Sequence, residues 1–169
     1  MSKNAIKTVL LALLGGLLFV AAPASAGSEK YAFTLTEAVS DTTLDLAELT
    51  QDKPLVFLVW SPECPHCQRH MPYVAALYKK LDLEQVNFVT CAVDAPVREA
   101  LDYLESKDLS FPVLDGNKGE LGWGFTSQGW PTTFVFGPGG SFIGWCDTTG
   151  PNYVTEVLDM LDHAKPAQN

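Results

Sequence analysis

Two cysteines three positions apart, Cys64 and Cys67, enclose Pro65 and His66 and are the residues of this chain best suited to chemistry. They follow an apolar run, Leu55 to Val59, then Trp60, and they precede a stretch with helical spacing of apolar residues. The pattern is a strand, a turn and a dithiol at a helix start. Thiols so placed close a small disulfide ring without moving the backbone, and open it again by exchange. Cys64 falls where the unpaired N–H groups and the positive end of the helix dipole stabilise an anion, which marks it as the nucleophile. Cys67, one turn further in, is placed to attack a mixed disulfide from within and is the resolving thiol. Pro65 occupies an early helical position, where its missing N–H costs nothing. His66, as a cation or a hydrogen-bond donor, adds to the stabilisation of the thiolate. Whatever stabilises the reduced pair makes its disulfide more oxidising.

Other uses of such a pair fit less well. A zinc ribbon needs a second close Cys or His pair, and the remaining cysteines, Cys91 and Cys146, stand alone and far apart. A c-type haem site needs histidine directly after the second cysteine, where this chain has Gln68. A purely structural disulfide in so small a ring stabilises little, because it closes little chain entropy.

The elements that hold the dithiol can be read on either side of it. Tyr31, Phe33 and Leu35 alternate as a short strand does, and Leu44, Leu46 and Leu49 suggest a strand running into a helical turn. The run at 55–60 is continuously apolar, as in a strand covered on both faces, so the sheet is expected to be parallel at its centre. A helix is expected from Cys64 to about Lys80, with Met71, Val74, Leu77, Tyr78 and Leu81 on its apolar side and a kink at Pro72. A strand over 86–93 and a helix over about 96–107 follow. Phe111 to Leu114 reads as an extended piece closed by a turn over Asp115-Gly116-Asn117-Lys118-Gly119. Leu121 to Phe125 suggests a short helical turn. Thr132 to Phe136 and Ser141 to Cys146 read as a hairpin about Gly137-Pro138-Gly139-Gly140, and a last helix spans about 151–164. This order calls for a mixed sheet with helices on both faces.

The 169 residues suffice for one domain with a core, and the first 26 read as a segment apart from it. Lys3 and Lys7 precede an apolar run, Val9 to Ala22, broken only by Gly15 and Gly16, and Ala24-Ser25-Ala26 supplies a small-x-small cleavage pattern. The reading is a secretory signal peptide cut after about Ala26, leaving a domain over 27–169. The alternative is an uncleaved anchor over residues 9–22, but that run is short of the ~20 residues needed to span a bilayer. Cleavage leaves 9 basic residues against 20 acidic ones, a charge unsuited to nucleic-acid binding. Export also places the cysteines in an oxidising compartment, where an active dithiol must be maintained by a partner.

With the dithiol, Asp52-Lys53-Pro54, Met71-Pro72, Phe111-Pro112-Val113-Leu114 and Gly129-Trp130-Pro131-Thr132-Thr133-Phe134 in view, the chain resembles the thioredoxin superfamily. More narrowly it resembles the exported TlpA/ResA-type thioredoxins, over almost all of the mature chain. Trp60, four residues before Cys64, and the Pro-Thr pair opening a late strand are part of the likeness. The resemblance implies an α/β thioredoxin-like fold, a central mixed sheet flanked by helices on both faces. It implies a soluble periplasmic thiol:disulfide oxidoreductase acting on thiols and disulfides of exported proteins and recycled by a membrane redox partner. No cofactor is implied, because the dithiol itself holds the two electrons. Pro131 is then a cis proline packed against the dithiol, and with Trp130 it borders the strip of backbone that pairs with an extended substrate peptide.

Two positions depart from the family pattern, and the dipeptide between the cysteines leaves a choice open. Leu58 stands six residues before Cys64, where the family usually has a buried acid that handles the proton of the resolving thiol; Glu63 or water would then take that role. Trp130 is bulkier than the usual residue before the cis proline; it would narrow the groove, stack on a substrate side chain, or simply pack. Pro65-His66 is the dipeptide of the oxidising DsbA type, whereas the 63 positions from Cys67 to Trp130 leave no room for that type's helical insertion. The scaffold is that of the reductants of cytochrome c maturation, so the direction of exchange stays open. In the family strand order, two strands separate those of Cys91 and Cys146, roughly 14 Å at ~4.8 Å per step, too far for a disulfide. Both are expected to be buried free thiols. His70, one turn after His66, reads as a solvated helix residue. The rival function is a copper carrier built on Cys64 and Cys67, with His70 as a further ligand.

Overall fold

The structure, a computed structural model, describes residues 30–164. The signal segment and its cleavage point lie outside the described residues. In chain order the elements are β1 (Phe33–Glu37), β2 (Thr43–Asp45), α1 (Leu46–Leu49), β3 (Leu55–Trp60), α2 (Pro65–Tyr78) and β4 (Asn87–Ala92). There follow α3 (Val97–Ser106), β5 (Val113–Leu121), α4 (Trp123–Thr126), β6 (Thr132–Phe136), β7 (Phe142–Cys146) and α5 (Tyr153–Ala164). Seven strands make one sheet in the order β2-β1-β5-β4-β3-β6-β7. β3, β4 and β5 are parallel at its centre, and every other pairing is antiparallel.

All six residues of β3 are fully buried, and their alternation divides the core. Val56, Leu58 and Trp60 face one layer with Cys67, Met71, Val74 and Leu77 of α2, Ala100 and Leu104 of α3, and Val157 and Leu161 of α5. Leu55, Phe57 and Val59 face the other, with Phe33, Leu35, Phe125 and Phe134. The three long helices thus cover one face, and α1, α4 and an aromatic cluster cover the other. Phe33 stacks on Phe57 at 4.6 Å, and Phe125 meets Phe57 edge-on at 5.0 Å. Each of these rings contributes on the order of 1.5–3 kcal/mol by leaving water.

The turn expected over residues 115–119 is instead part of a nine-residue strand, β5. Thr36 pairs with Asp115 and Leu35 with Gly119, so residues 116–118 bulge out of a ladder that continues to Leu121. β1 lies alongside and supplies partners on both sides of the bulge, which the local Gly-Asn-Lys-Gly signal does not reveal. Gly119 is required at its end: its φ is +110°, and a Cβ there would fall on the Thr34 carbonyl.

Candidate active site

Parallel β3 and β4 end at the same edge of the sheet, with Trp60 opposite Ala92. β6 runs the other way and begins there, since Val59 pairs with Thr132. Three loops therefore converge, 61–64 after β3, 93–96 after β4 and 127–131 before β6. This is the crevice at the carboxyl ends of strands, where the chain departs to opposite sides of β3.

The first loop carries the dithiol. Cys64 is the N-cap of α2: its backbone is extended and its Sγ accepts the Cys67 N–H at 3.4 Å. Pro65 follows as the first helical residue. The loop is held by the Cys64 N–H donating to the Ser61 carbonyl at 3.2 Å, and by Gln68 Nε2 donating to the Pro62 carbonyl at 2.7 Å. Cys64 is half-buried and Cys67 fully buried, so of the two thiols only Cys64 is open to solvent. All four cysteines are thiols in this structure. Burial, reinforced by the neighbouring Cys64, pushes the Cys67 thiol up to about 12. As a nucleophile Cys67 would first have to lose that proton. Leu58 is fully buried and supplies no acceptor, while Glu63 is exposed beside Cys64.

The Trp130–Pro131 peptide bond is cis. It turns the Trp130 carbonyl to within 3.9 Å of the Cys64 sulfur, which donates to it. Pro131 is buried and Trp130 half-buried, with its ring against both core layers. Trp60 lies beneath the dithiol loop, its ring 5.7 Å from that of Tyr103, and the Tyr103 hydroxyl donates to the Gln68 carbonyl at 3.2 Å. Cys64, Cys67, Trp130, Pro131, Pro65 and Trp60 thus belong to one assembly. His66 is exposed, and its hydrogen bond is to Arg69, whose Nη2 lies 3.1 Å from His66 Nδ1. Arginine can only donate, so in this geometry Nδ1 accepts.

His70 is not the solvated residue its place in the sequence suggests. It is 3% exposed, its ring stands edge-on to Tyr153 at 4.3 Å, and its Nδ1 has no hydrogen-bond partner among the described residues. Burial holds its pKa down at about 4. The helix turns this position inward because α5 packs across α2 and places Tyr153 there; the Tyr153 hydroxyl in turn shares a 2.9 Å hydrogen bond with Thr133 of β6. No group of three or more His, Cys, Asp or Glu side chains among the described residues is arranged to hold a metal ion. Cys91 and Cys146 are buried thiols on β4 and β7, with β3 and β6 between them.

Three participants leave no mark in the sequence pattern. Gln68 and Tyr103 lock the dithiol loop, and nothing in their spacing announces it. Asp94 of the second loop accepts a 2.8 Å hydrogen bond from the Trp130 indole Nε1 across 36 positions of chain. A left-handed φ of +60° at an aspartate marks it once the backbone is known.

These features define a protein of thioredoxin-like fold with a dithiol capping the helix after its central strand. Residues 26–142 match the AhpC/TSA family, and the chain belongs to it, on the thioredoxin-like side that its TlpA/ResA-type motifs indicate. Thiol-disulfide oxidoreductase ResA of Bacillus subtilis is 25% identical over 171 residues, covering 98% of this chain and 93% of the relative. The protein of the same name from Oceanobacillus iheyensis is 27% identical over 106 residues, 63% of this chain; the match spans 55% of that relative's length. The solved structure of StoA from Bacillus subtilis shares the fold with a TM-score of 0.61 at 18% identity, covering 78% of this chain and 96% of that one.

Proposed function

We propose that this chain is a thiol:disulfide oxidoreductase that exchanges disulfides with exported proteins through Cys64 and Cys67. The observation that carries the reading is the Cys64 sulfur at the head of α2, open on one side and facing the Trp130 carbonyl at 3.9 Å on the other. In the reducing direction the Cys64 thiolate attacks one sulfur of a target disulfide. A Cys64–target disulfide forms, the target's own bond breaks, and its departing sulfur leaves as a thiolate that takes a proton from water. Cys67, once deprotonated, attacks Cys64 Sγ and releases the second target thiolate. The target gains two electrons and the protein ends as the Cys64–Cys67 disulfide; oxidation of a target is the same sequence reversed. Trp130 and Pro131 border the strip against which an extended peptide lies, and His66 tunes the thiolate.

The signal-like residues 1–26 support a periplasmic setting for this activity, in which cleavage falls after about Ala26 and a membrane redox partner restores the dithiol. Among the described residues no helix is long and apolar enough to cross a membrane. The test is trapping: Cys67→Ser should accumulate mixed disulfides with exported proteins through Cys64, and Cys64→Ser should accumulate none. Absence of trapped species from the Cys67 variant would overturn the reading. The reduction potential sets the direction. A value near −120 mV makes the protein a disulfide donor governed by Pro65-His66, and one near −270 mV makes it a reductant governed by its scaffold.

A further inference from the structure

The Asp94 loop is built as a rigid arm. The Val93 N–H donates to the Trp60 carbonyl at 3.0 Å, which fixes the arm's root to the end of β3. Asn117, in the bulge of β5, donates from Nδ2 to the Ala95 carbonyl at 2.8 Å, which fixes its far side. Between these two anchors Asp94 takes φ +60° and points its carboxylate at the Trp130 indole, 2.8 Å from Nε1. The carbonyl of that same Trp130 faces Cys64 at 3.9 Å. One residue thus joins the arm to the reactive sulfur, with its ring on the arm and its carbonyl on the thiol.

An indole bonded through its N–H to a carboxylate is an electron-rich face beside a negative charge. The side chain complementary to both is a cation with a flat or extended body, arginine above all, which gains a cation–π contact and an opposite charge together. Glu63, exposed, adds a carboxylate next to Cys64 in the chain. We infer that Asp94 is a positioning and specificity-determining residue, which holds Trp130 as a fixed wall beside Cys64 and selects target cysteines flanked by cationic side chains. This rests on the disulfide-exchange reading of the same site.

The test uses the reduced mature protein and mixed disulfides of thionitrobenzoate with two extended peptides, in which the single cysteine is flanked on both sides by arginine or by glutamine. Attack of Cys64 on the peptide sulfur releases the coloured thiolate, and its rate is followed by stopped flow. Hydroxyethyl disulfide, small and uncharged, reports the dithiol alone. Asp94→Asn keeps an oxygen acceptor for the indole and loses the charge; Asp94→Gly loses both; asparagine and glycine each accept a positive φ, so the arm keeps its shape.

The wild type should prefer the arginine peptide about two- to fivefold, the range of an exposed cation–π contact. That preference should shrink at high salt and in Asp94→Asn, while the glutamine peptide reacts with Asp94→Asn as with wild type. Asp94→Gly should slow both peptides more than it slows hydroxyethyl disulfide and shift the Trp130 indole N–H resonance. Equal wild-type rates on the two peptides, with hydroxyethyl disulfide still reduced, overturn the inference alone. Full wild-type peptide rates in Asp94→Gly do the same. Failure to reduce hydroxyethyl disulfide overturns the exchange reading and the inference with it.

Discussion

Lowering the pH should destabilise this domain through His70. The side chain is buried, its ring lies against Tyr153, and its Nδ1 has no hydrogen-bond partner among the described residues. A proton on that ring would put an unpaired charge into the core, so burial moves the pKa from 6.5 down to about 4. A folded-state value below the unfolded one means that the neutral ring contributes full stability above pH 6.5. That contribution is lost as the pH falls from there through about 4. Linkage between those two values gives a loss of about 2 kcal/mol between pH 7 and pH 5. With a urea slope of ~1–3 kcal/mol/M, the midpoint should fall by about 1 M. The assay is urea unfolding followed by tryptophan fluorescence at the two pH values, with the dithiol kept reduced. His70→Phe preserves the aromatic contact with Tyr153 and cannot take up a proton, so its midpoint should lose that 1 M shift and keep only what the carboxylates contribute. An equal fall in both proteins would refute the reasoning, because the pH dependence would then lie elsewhere.

Three further outcomes follow from the packing. Pulse alkylation of the reduced, folded protein at pH 8 should modify Cys64 alone, since Cys67 is pushed up to about 12 and Cys146 to about 11 by burial, and Cys91 is higher still. Mass spectrometry should then find the other three labelled only after denaturation. Gly119→Ala should cost about 1–3 kcal/mol in urea unfolding, because the new Cβ meets the Thr34 carbonyl at a positive φ, and should leave the exchange rate of the folded protein unchanged. Tyr153→Phe should cost about 1–3 kcal/mol by leaving the buried Thr133 hydroxyl without its 2.9 Å partner, as measured by the same unfolding curves.

The chemistry of the site is legible in the chain wherever it is local. The apolar run 55–60, the Cys64–Cys67 spacing and Pro65 lie within 13 residues, and together they define a strand, a cap and a first turn. The layered sheet follows from the order of elements, and the separation of Cys91 from Cys146 follows from the strand order of the family. What depends on contact between distant segments is not legible. The spacing of α2 puts His70 on the apolar side, three residues after Cys67 and four before Val74, but its polar ring reads as solvated; α5, more than 80 residues later, brings Tyr153 against it. The Asp-Gly-Asn-Lys-Gly segment has turn composition, yet β1 pairs on either side of it and makes it a bulge. Asp94 and Trp130 each look ordinary in their own stretch of sequence, and only the meeting of three loops joins them.

The sulfur that caps α2 ties the electron count of the protein to the integrity of a helix end. As a thiol or thiolate, Cys64 Sγ accepts the Cys67 N–H; once bonded to a second sulfur it is a poorer acceptor, and the first turn loses part of its cap. By a thermodynamic cycle, any capping energy present only in the reduced protein reappears as a more positive midpoint potential. A cap of ~1 kcal/mol corresponds to ~20 mV. Fraying at residues 64–67 and oxidising strength are therefore two readings of one quantity, and a substitution that stiffens or loosens the helix start acts as a redox substitution without touching either thiol.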